Sequence, residues 1–137
     1  MIKKFELDLS TKITVFGVEL FRIKALISFG NVKKGEFGGY VEKEENLNHS
    51  GDAWVYGDAE VYGDARVSNL NDYIVFKNNW SSGRYFTYTL SNKMWKVGCF
   101  YGSGEELVKK AYQDSEDSGK HYETYVKLVK TLEELDN

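Results

Sequence analysis

The stretch GDAWVYGDAEVYGDARVSN, residues 51–69, decides the fold because it repeats a six-residue unit, V-Y-G-D-A-x. A branched valine and a small alanine recur at fixed places in each unit, and Gly-Asp supplies a bend. Three such units, residues 49–66, predict about one triangular coil of a left-handed β-helix, in which each unit forms a short strand and a corner. The alternative is a meander of four-residue strands joined by two-residue Gly-Asp hairpin turns.

The coil also predicts which side chains of the repeat face solvent. Valine and alanine would point inward, and the residues between them would point outward, including the large Trp54, Tyr56 and Tyr62. The aspartates of successive units would lie at three different corners, because only residues eighteen apart stack in such a coil. The repeat is therefore not expected to form an acidic ladder.

Composition describes a folded chain of ordinary domain size. The 137 residues are 42% hydrophobic and 28% charged, with no proline and 15% aromatic residues. This balance is typical of a globular protein rather than a disordered one. A chain of this length can bury a substantial core.

The charge distribution argues against nucleic acid as the partner. Residues 49–72 carry one Lys or Arg against five Asp or Glu, whereas the segments on either side are nearly balanced. A protein that binds nucleic acid needs a basic surface to displace counterions from the phosphates. We expect no sequence-specific nucleic-acid binding.

The single cysteine, Cys99, allows no internal disulfide, and the first residues do not resemble a signal peptide. No apolar run approaches the roughly 20 residues that span a bilayer. These features favour the cytoplasm of a bacterial host and predict no membrane association.

The residues before the repeat predict strands and a connector. FELDL alternates apolar and charged residues, and STK, residues 10–12, is a plausible turn. The run as far as Phe29 is rich in β-branched and aromatic residues, with a break at Gly17. Helix is the competing interpretation for ELFRIKALISF. A glycine-rich, charged connector then leads to the repeat, so residues 1–48 are predicted to form an N-terminal β cap and connector, and residues 49–72 the coil.

Residues 73–137 predict an α+β unit. Their first part reads as three strands joined by the turns NNWSSG and SNK. Ser103 and Glu106 form a capping box before a helix that carries Leu107, Val108, Ala111 and Tyr112 on one face. A second helix from Lys120 carries a predicted buried stripe of Tyr122, Tyr125, Val126, Val129 and Leu132. The predicted class is mainly β with an α+β C-terminal unit, in the order N-terminal strands, coil, β-β-β-α-α. The flanking units would cover the two ends of the coil.

The run FRIKALISFGNVKKGEFGGYVEKEENLNHSGDAWVYGDAEVYGDARV, residues 21–67, resembles small hexapeptide-repeat proteins of bacteriophages, prophages and gut bacteria. Those proteins pair an arm of this kind with a variable number of six-residue units. The resemblance covers about a third of the chain and implies a left-handed β-helix and a mobile-element origin, but no activity. Small phage proteins often inhibit host defence systems, and that link is an analogy.

Catalytic chemistry finds little support in the sequence. Hexapeptide acyltransferases use a histidine base between long coils, whereas His49 lies in an irregular first unit of a single short coil. With only His49 and His121, the chain lacks three histidines for zinc, and the spacings typical of zinc sites are missing. Cys99 is expected to be a core thiol. Glu105 and Glu106 occupy the place where a phosphate would bind after Gly104. We predict no enzyme activity, no metal and no cofactor.

The hypothesis that remains is a non-enzymatic protein-binding module of phage origin, whose partner is a host or phage protein. Inhibition of a host defence nuclease, as by an anti-CRISPR protein, is the narrower form of this hypothesis. Exposed Tyr and Trp side chains with few rotamers are typical binding anchors. The candidate partner-binding residues are Trp54, Tyr56, Asp58, Glu60, Tyr62, Asp64 and Trp80. The alternatives are a self-assembling structural or accessory phage protein, which would form homo-oligomers, and an acyltransferase-like enzyme.

Overall fold

A computed structural model describes residues 3–15 and 17–136 of the chain. These residues form a mixed α/β protein in which two four-stranded sheets are followed by two helices. The first sheet contains β1 (Phe5–Val15), β2 (Val18–Ala25), β3 (Phe37–Val41) and β4 (Glu60–Val61), in that order. The second contains β5 (Tyr73–Lys77), β6 (Tyr85–Thr89), β7 (Met94–Val97) and β8 (Phe100–Gly102), and is followed by α1 (Gly104–Asp114) and α2 (Glu116–Leu135).

The N-terminal strands form an antiparallel hairpin, β1–β2, which turns at Gly17 with a positive φ of 79°. Strand is therefore the correct interpretation as far as Ala25, and the helical alternative is wrong. The turn expected at residues 10–12 lies inside β1, where the pairing register shifts between Asp8 and Ile13. A bulge of this kind bends a strand without ending it.

The predicted connector contains a strand that the sequence did not indicate. β3 pairs antiparallel with β2 on one side and parallel with the repeat on the other, joining Tyr40 to Glu60 and Val41 to Val61. A third parallel bridge joins residues 47 and 67, so all three pairs lie twenty residues apart. Residues 38–48 therefore run alongside the repeat and satisfy the backbone groups on one of its edges.

The interior of the repeat agrees with its six-residue period. Each repeated alanine and valine is at most 2% exposed: Ala53, Ala59, Ala65, Val55, Val61 and Val67. Gly57 and Gly63 occupy the bends with φ values of 58° and 64°, a conformation that favours glycine. The meander alternative requires antiparallel neighbours. Residues 49–69 contain only the two-residue strand β4 and no antiparallel pair between their own units, so that alternative is wrong.

Trp54 does not point outward as the repeat predicted. Its side chain is 1% exposed and belongs to the first core, where it packs edge-on against Phe5 and Phe29. The physical reason is that the N-terminal strands and the residues after β2 cover this side of the first unit. The equivalent position is half-buried in the second unit, at Glu60, and exposed in the third, at Arg66.

The C-terminal sheet has four strands where three were expected. The run MWKVGCFYG turns at Gly98, with a φ of 54°, and this divides it into β7 and β8. Cys99 therefore lies in a turn and is exposed, so the expectation of a core thiol is wrong. The turn also places β8 as an edge strand directly before α1.

The helices agree more closely with their predicted patterns. Ser103 caps α1, and both hydrogen bonds of the capping box with Glu106 are present. Ser115 ends α1 and caps α2, which therefore begins at Glu116, four residues before its predicted start. On α2 the residues Tyr122, Val126 and Val129 are buried, with Tyr125 and Leu132 partly buried beside them. Tyr112, expected on the buried face of α1, is 40% exposed.

The second unit covers the other edge of the repeat with side-chain hydroxyls. The amide of Tyr56 donates a hydrogen bond to the hydroxyl of Tyr73 at 2.9 Å. In the same way, the amide of Glu60 donates to the hydroxyl of Thr87 at 3.1 Å, and that of Arg66 to the hydroxyl of Ser91 at 2.8 Å. The hydroxyls of Tyr73 and Tyr101 donate to the carbonyls of Trp54 (2.8 Å) and Tyr62 (3.2 Å). An uncovered strand edge is a template for association with another chain. The second unit therefore covers the edge that a further unit of the repeat would need.

We expect Thr87→Val to lower the free energy of unfolding by about 1–2 kcal/mol, because the amide of Glu60 loses its acceptor in a buried place. Thr87 is 2% exposed, and valine has nearly the same shape as threonine. The matched control is Ser91→Ala, at an exposed site where water can replace the lost hydroxyl. For Ser91→Ala we expect the free energy of unfolding to change by less than about 0.5 kcal/mol. If urea unfolding shows equal losses of the free energy of unfolding in Thr87→Val and Ser91→Ala, the buried hydroxyl of Thr87 is not a special acceptor for this edge of the repeat.

Candidate functional site

Three of the seven predicted site residues lie at the junction between the two units. Glu60 forms an ion pair with the buried Lys96 at 3.3 Å, and the ring of Tyr62 packs against Tyr101 at 4.3 Å between ring centres. Asp64 accepts a hydrogen bond of 2.9 Å from the side chain of Asn92. Glu60 and Tyr62 are half-buried, contrary to the outward orientation expected for them. These contacts hold the units together.

Trp80 also packs within the protein. Its ring stacks on His121 at 4.3 Å with an interplanar angle of 12°, and it meets Tyr122 edge-on at 5.0 Å. The predicted turn places this tryptophan against α2 instead of presenting it fully to solvent, and its side chain is half-buried. Trp80 therefore stabilises the second core.

Tyr56, Asp58 and Asp64 are the predicted residues that remain exposed, and Arg22 contacts Asp58 and the carbonyl of Gly57, which lies between Tyr56 and Asp58 in the chain. Tyr56 is 42% exposed. Two residues further along the chain, the carboxylate of Asp58 accepts a hydrogen bond of 2.7 Å from the guanidinium of Arg22. The same guanidinium donates to the carbonyls of Gly38 at 2.9 Å and Gly57 at 3.1 Å. The hydrogen bond with Asp58 raises the pKa of Arg22, which burial alone would lower. Arg22 is thus fixed in place and charged.

Cross-strand pairs extend this surface over β1, β2 and β3. Arg22 stacks on the Tyr40 ring at 4.4 Å, and the Lys24 ammonium lies 5.8 Å from the centre of the Phe37 ring, which is 51% exposed. Paired residues share one face of a sheet, so the β1 partners of Arg22 and Lys24 lie on it as well. We call this surface the Arg22 face; its members are Glu6, Asp8, Arg22, Lys24, Phe37, Tyr40, Tyr56 and Asp58.

The sequence did not indicate most of the Arg22 face. Arg22, Lys24, Phe37 and Tyr40 meet only through strand pairing, and the register shifts between Arg22 and Lys24. The one local indication was the alternation in β2, where the buried Ile23 separates two cationic residues. That pattern places both cations on one face but does not name the aromatic residues opposite them.

His49 is held in a structural role. Its Nδ1 accepts a hydrogen bond from the amide of Lys4 at 3.0 Å, so its Nε2 donates to Glu44 at 2.8 Å, and its ring stacks on Phe5 at 4.2 Å. Burial raises the pKa of Glu44, but the hydrogen bonds from His49 and Lys3 outweigh this effect and lower it. With both ring nitrogens engaged, the imidazole is poorly placed to act as a general base.

Other chemical sites find no support in the described structure. Within residues 3–15 and 17–136, no group of three His, Cys, Asp or Glu side chains could hold a metal ion. The amide of Ser103 donates to Glu106 at 3.0 Å, so the start of α1 already binds a carboxylate of its own chain. In the same part of the chain, no helix combines the length and the apolar character needed to cross a bilayer.

No protein-family model matches this chain, and no curated protein matches its sequence. Among the surfaces described, the Arg22 face combines exposed aromatic rings with a fixed arginine, which is the composition typical of binding surfaces.

Proposed function

We propose that the protein is a non-enzymatic protein-binding module and that it contacts its partner through the Arg22 face. The observation that carries this proposal is the exposure of two large aromatic side chains, Phe37 at 51% and Tyr56 at 42%, beside a fixed arginine. Aromatic and arginine side chains contribute most to binding energy at protein interfaces. Phe37 and Arg22 lie in paired strands, and the amide of Tyr56 is held by the hydroxyl of Tyr73, so little conformational entropy is lost on binding.

The charges of the Arg22 face favour a protein over a polyanion. Glu6, Asp8 and Asp58 stand among the cations Arg22 and Lys24, so both signs are interspersed on one surface. Mixed charges give orientation and specificity toward a partner with a complementary pattern. Nucleic acid requires a uniformly basic surface instead.

The partner is a host or phage protein in the bacterial cytoplasm, and this part of the proposal rests on the resemblance of residues 21–67 to phage hexapeptide-repeat proteins. The narrower hypothesis is that the module inhibits a host defence nuclease, as anti-CRISPR proteins do. Binding alone suffices for such inhibition, since occupation of a functional surface on the nuclease blocks its substrate. This agrees with the absence of a predicted catalytic residue.

We also propose that residues 49–67 wind as one coil of a left-handed β-helix. Support comes from the buried valines and alanines at six-residue intervals, the bends at Gly57 and Gly63, and the parallel pairing with the preceding chain. The paired residues lie twenty apart, two more than in a regular coil, so the preceding segment is an irregular neighbour of the repeat. An experimental structure with the opposite hand of winding would overturn this proposal.

The binding proposal is tested with the tagged protein in a lysate rich in defence nucleases, followed by affinity measurement on the purified partner. We expect the double variant Phe37→Ala/Tyr56→Ala to bind at least about tenfold more weakly, which corresponds to roughly 1.4 kcal/mol. The matched control is Tyr85→Ala, an aromatic residue 46% exposed on the second sheet, which should bind as the wild type does. Unchanged affinity of the double variant would contradict the proposed surface. Failure to capture any stoichiometric protein would contradict the binding function.

A further inference from the structure

A pocket of about 450 Å³ lies between the second sheet, the start of α1 and the second half of α2. Its apolar lining consists of Tyr88, Trp95, Val126 and Val129, each less than one-tenth exposed. Charged residues of the two helices surround its mouth. Small-molecule sites have this volume and this combination of an apolar lining with a few polar groups. We call it the Trp95 pocket.

Trp95 brings an unused hydrogen-bond donor to this pocket. The residue is 2% exposed, and its indole N–H donates to no acceptor within the part of the chain that the structure describes. The indole nitrogen lies beside Gly104, where a Cβ would be 3.3 Å away. Gly104 lines the same pocket and has no side chain to cover this nitrogen, so the N–H is directed into the pocket. By contrast, the indole nitrogen of Trp80 is enclosed away from the pocket.

The charges around the Trp95 pocket disfavour both an anion and a cation. The carboxylate of Glu133 accepts hydrogen bonds from the hydroxyl of Tyr88 at 2.8 Å and from the ammonium of Lys93 at 2.6 Å. Burial alone would raise the pKa of Glu133, but these hydrogen bonds outweigh it and lower the pKa, so this carboxylate is ionised and already paired. The other charged residues of the lining are Glu105, Lys130 and Glu134. With both signs at the mouth, a ligand of either charge meets a like charge.

We propose that the Trp95 pocket binds an uncharged small molecule with an apolar body and a carbonyl oxygen. The carbonyl oxygen accepts a hydrogen bond from the indole N–H of Trp95, and the apolar body packs against Val126 and Val129. A donor in a mostly apolar site selects for ligands that carry an acceptor, because other ligands leave the donor without a partner. This inference goes beyond the proposed protein-binding function, since the Arg22 face belongs to the first sheet and the pocket to the second.

Titration of the ¹⁵N-labelled full chain with benzamide tests the proposal. The readout is the indole N–H signals of the three tryptophans, assigned with Trp→Phe variants. We expect the Trp95 signal to shift saturably, with a dissociation constant in the millimolar range, as is usual for so small a probe. The signals of Trp54 and Trp80 should stay in place, because neither ring lines the pocket. A Trp95 signal that does not move, or equal shifts of all three signals, would overturn the proposal.

Three probes of similar size test the chemistry of the ligand. Benzoate and benzylamine keep the ring but carry a charge, and we expect each to bind at least about tenfold more weakly than benzamide. Toluene has no acceptor and should leave the Trp95 signal nearly in place. Equal affinity of a charged probe would rule out the assignment to uncharged ligands, and equal affinity of toluene would rule out the carbonyl contact.

Trp95→Phe removes the donor and keeps an aromatic ring. We expect it to weaken benzamide binding roughly three- to tenfold, measured by saturation transfer to the protons of the probe. The matched control is Trp80→Phe, which removes an indole N–H outside the pocket and should bind as the wild type does. Melting temperatures establish that both variants fold; if Trp95→Phe does not, the wild-type titrations decide. Unchanged affinity of a folded Trp95→Phe variant would contradict the proposed contact. None of these measurements involves a protein partner, so their outcome is independent of the Arg22 face.

Discussion

Replacing Trp54 with alanine is expected to lower the free energy of unfolding by about 3–5 kcal/mol, the usual cost of deleting a fully buried tryptophan. Trp54 is 1% exposed, and its ring packs against Phe5 and Phe29, which come from different parts of the N-terminal segment. Alanine would leave a cavity that these rigid neighbours cannot fill. The whole stability of such a domain is about 5–15 kcal/mol. Urea unfolding followed by circular dichroism measures the loss.

The matched control is Tyr56→Ala, two residues along the same repeat. Tyr56 is 42% exposed, and its main contact with the second unit is made by its backbone amide, which alanine keeps. For Tyr56→Ala we expect the free energy of unfolding to change by less than about 1 kcal/mol. Stability losses of equal size in the two variants would show that Trp54 is not part of the core. The pair therefore separates a residue of the core from a neighbour on the proposed binding face.

Gly39→Ala is expected to lower the free energy of unfolding by about 3 kcal/mol, at the upper end for overpacked positions. A Cβ at this position would lie 2.6 Å from the carbonyl oxygen of Ala59 and 2.8 Å from Cγ1 of Val55. The nearest obstacle is backbone, which cannot move aside as a flexible side chain could. The amide of Gly39 also donates to the carbonyl of Val55 at 2.7 Å. The substitution would therefore separate β3 from the repeat.

Gly57→Ala provides the comparison at a glycine with a different role. Its φ is 58°, and no atom lies within 4 Å of a Cβ built there. The cost is therefore limited to left-handed backbone strain, about 1–2 kcal/mol. Both variants can be followed by the same urea unfolding experiment. A larger loss for Gly57→Ala than for Gly39→Ala would contradict the close approach of β3 to the repeat.

Features with a strong local period were predicted well from the sequence. The buried alanines and valines of the repeat, the capping box of Ser103 and the apolar residues of α2 each depend on neighbours a few residues away. In these places the side-chain spacing and the backbone preference agree with one another. The structure then adds only the exact ends of each element.

The errors fall where the deciding contact is distant in sequence. FGGYV has no strand pattern of its own, and it becomes β3 because β2 pairs on one side and the repeat pairs twenty residues later on the other. Cys99 is exposed because a turn at Gly98 interrupts a run that would be equally suitable as one strand. A local pattern cannot specify such partners.

The sequence by itself determined the six-residue period, the inward valines and alanines, and the two C-terminal helices, because each follows from the side chains of adjacent residues. Only the tertiary structure decided which of the remaining residues face solvent. Trp54 is buried against Phe5 of β1, Tyr62 is covered by Tyr101, and Tyr56 stays 42% exposed. Identical positions in a repeat have identical local preferences, and they differ only in what the rest of the chain places against them.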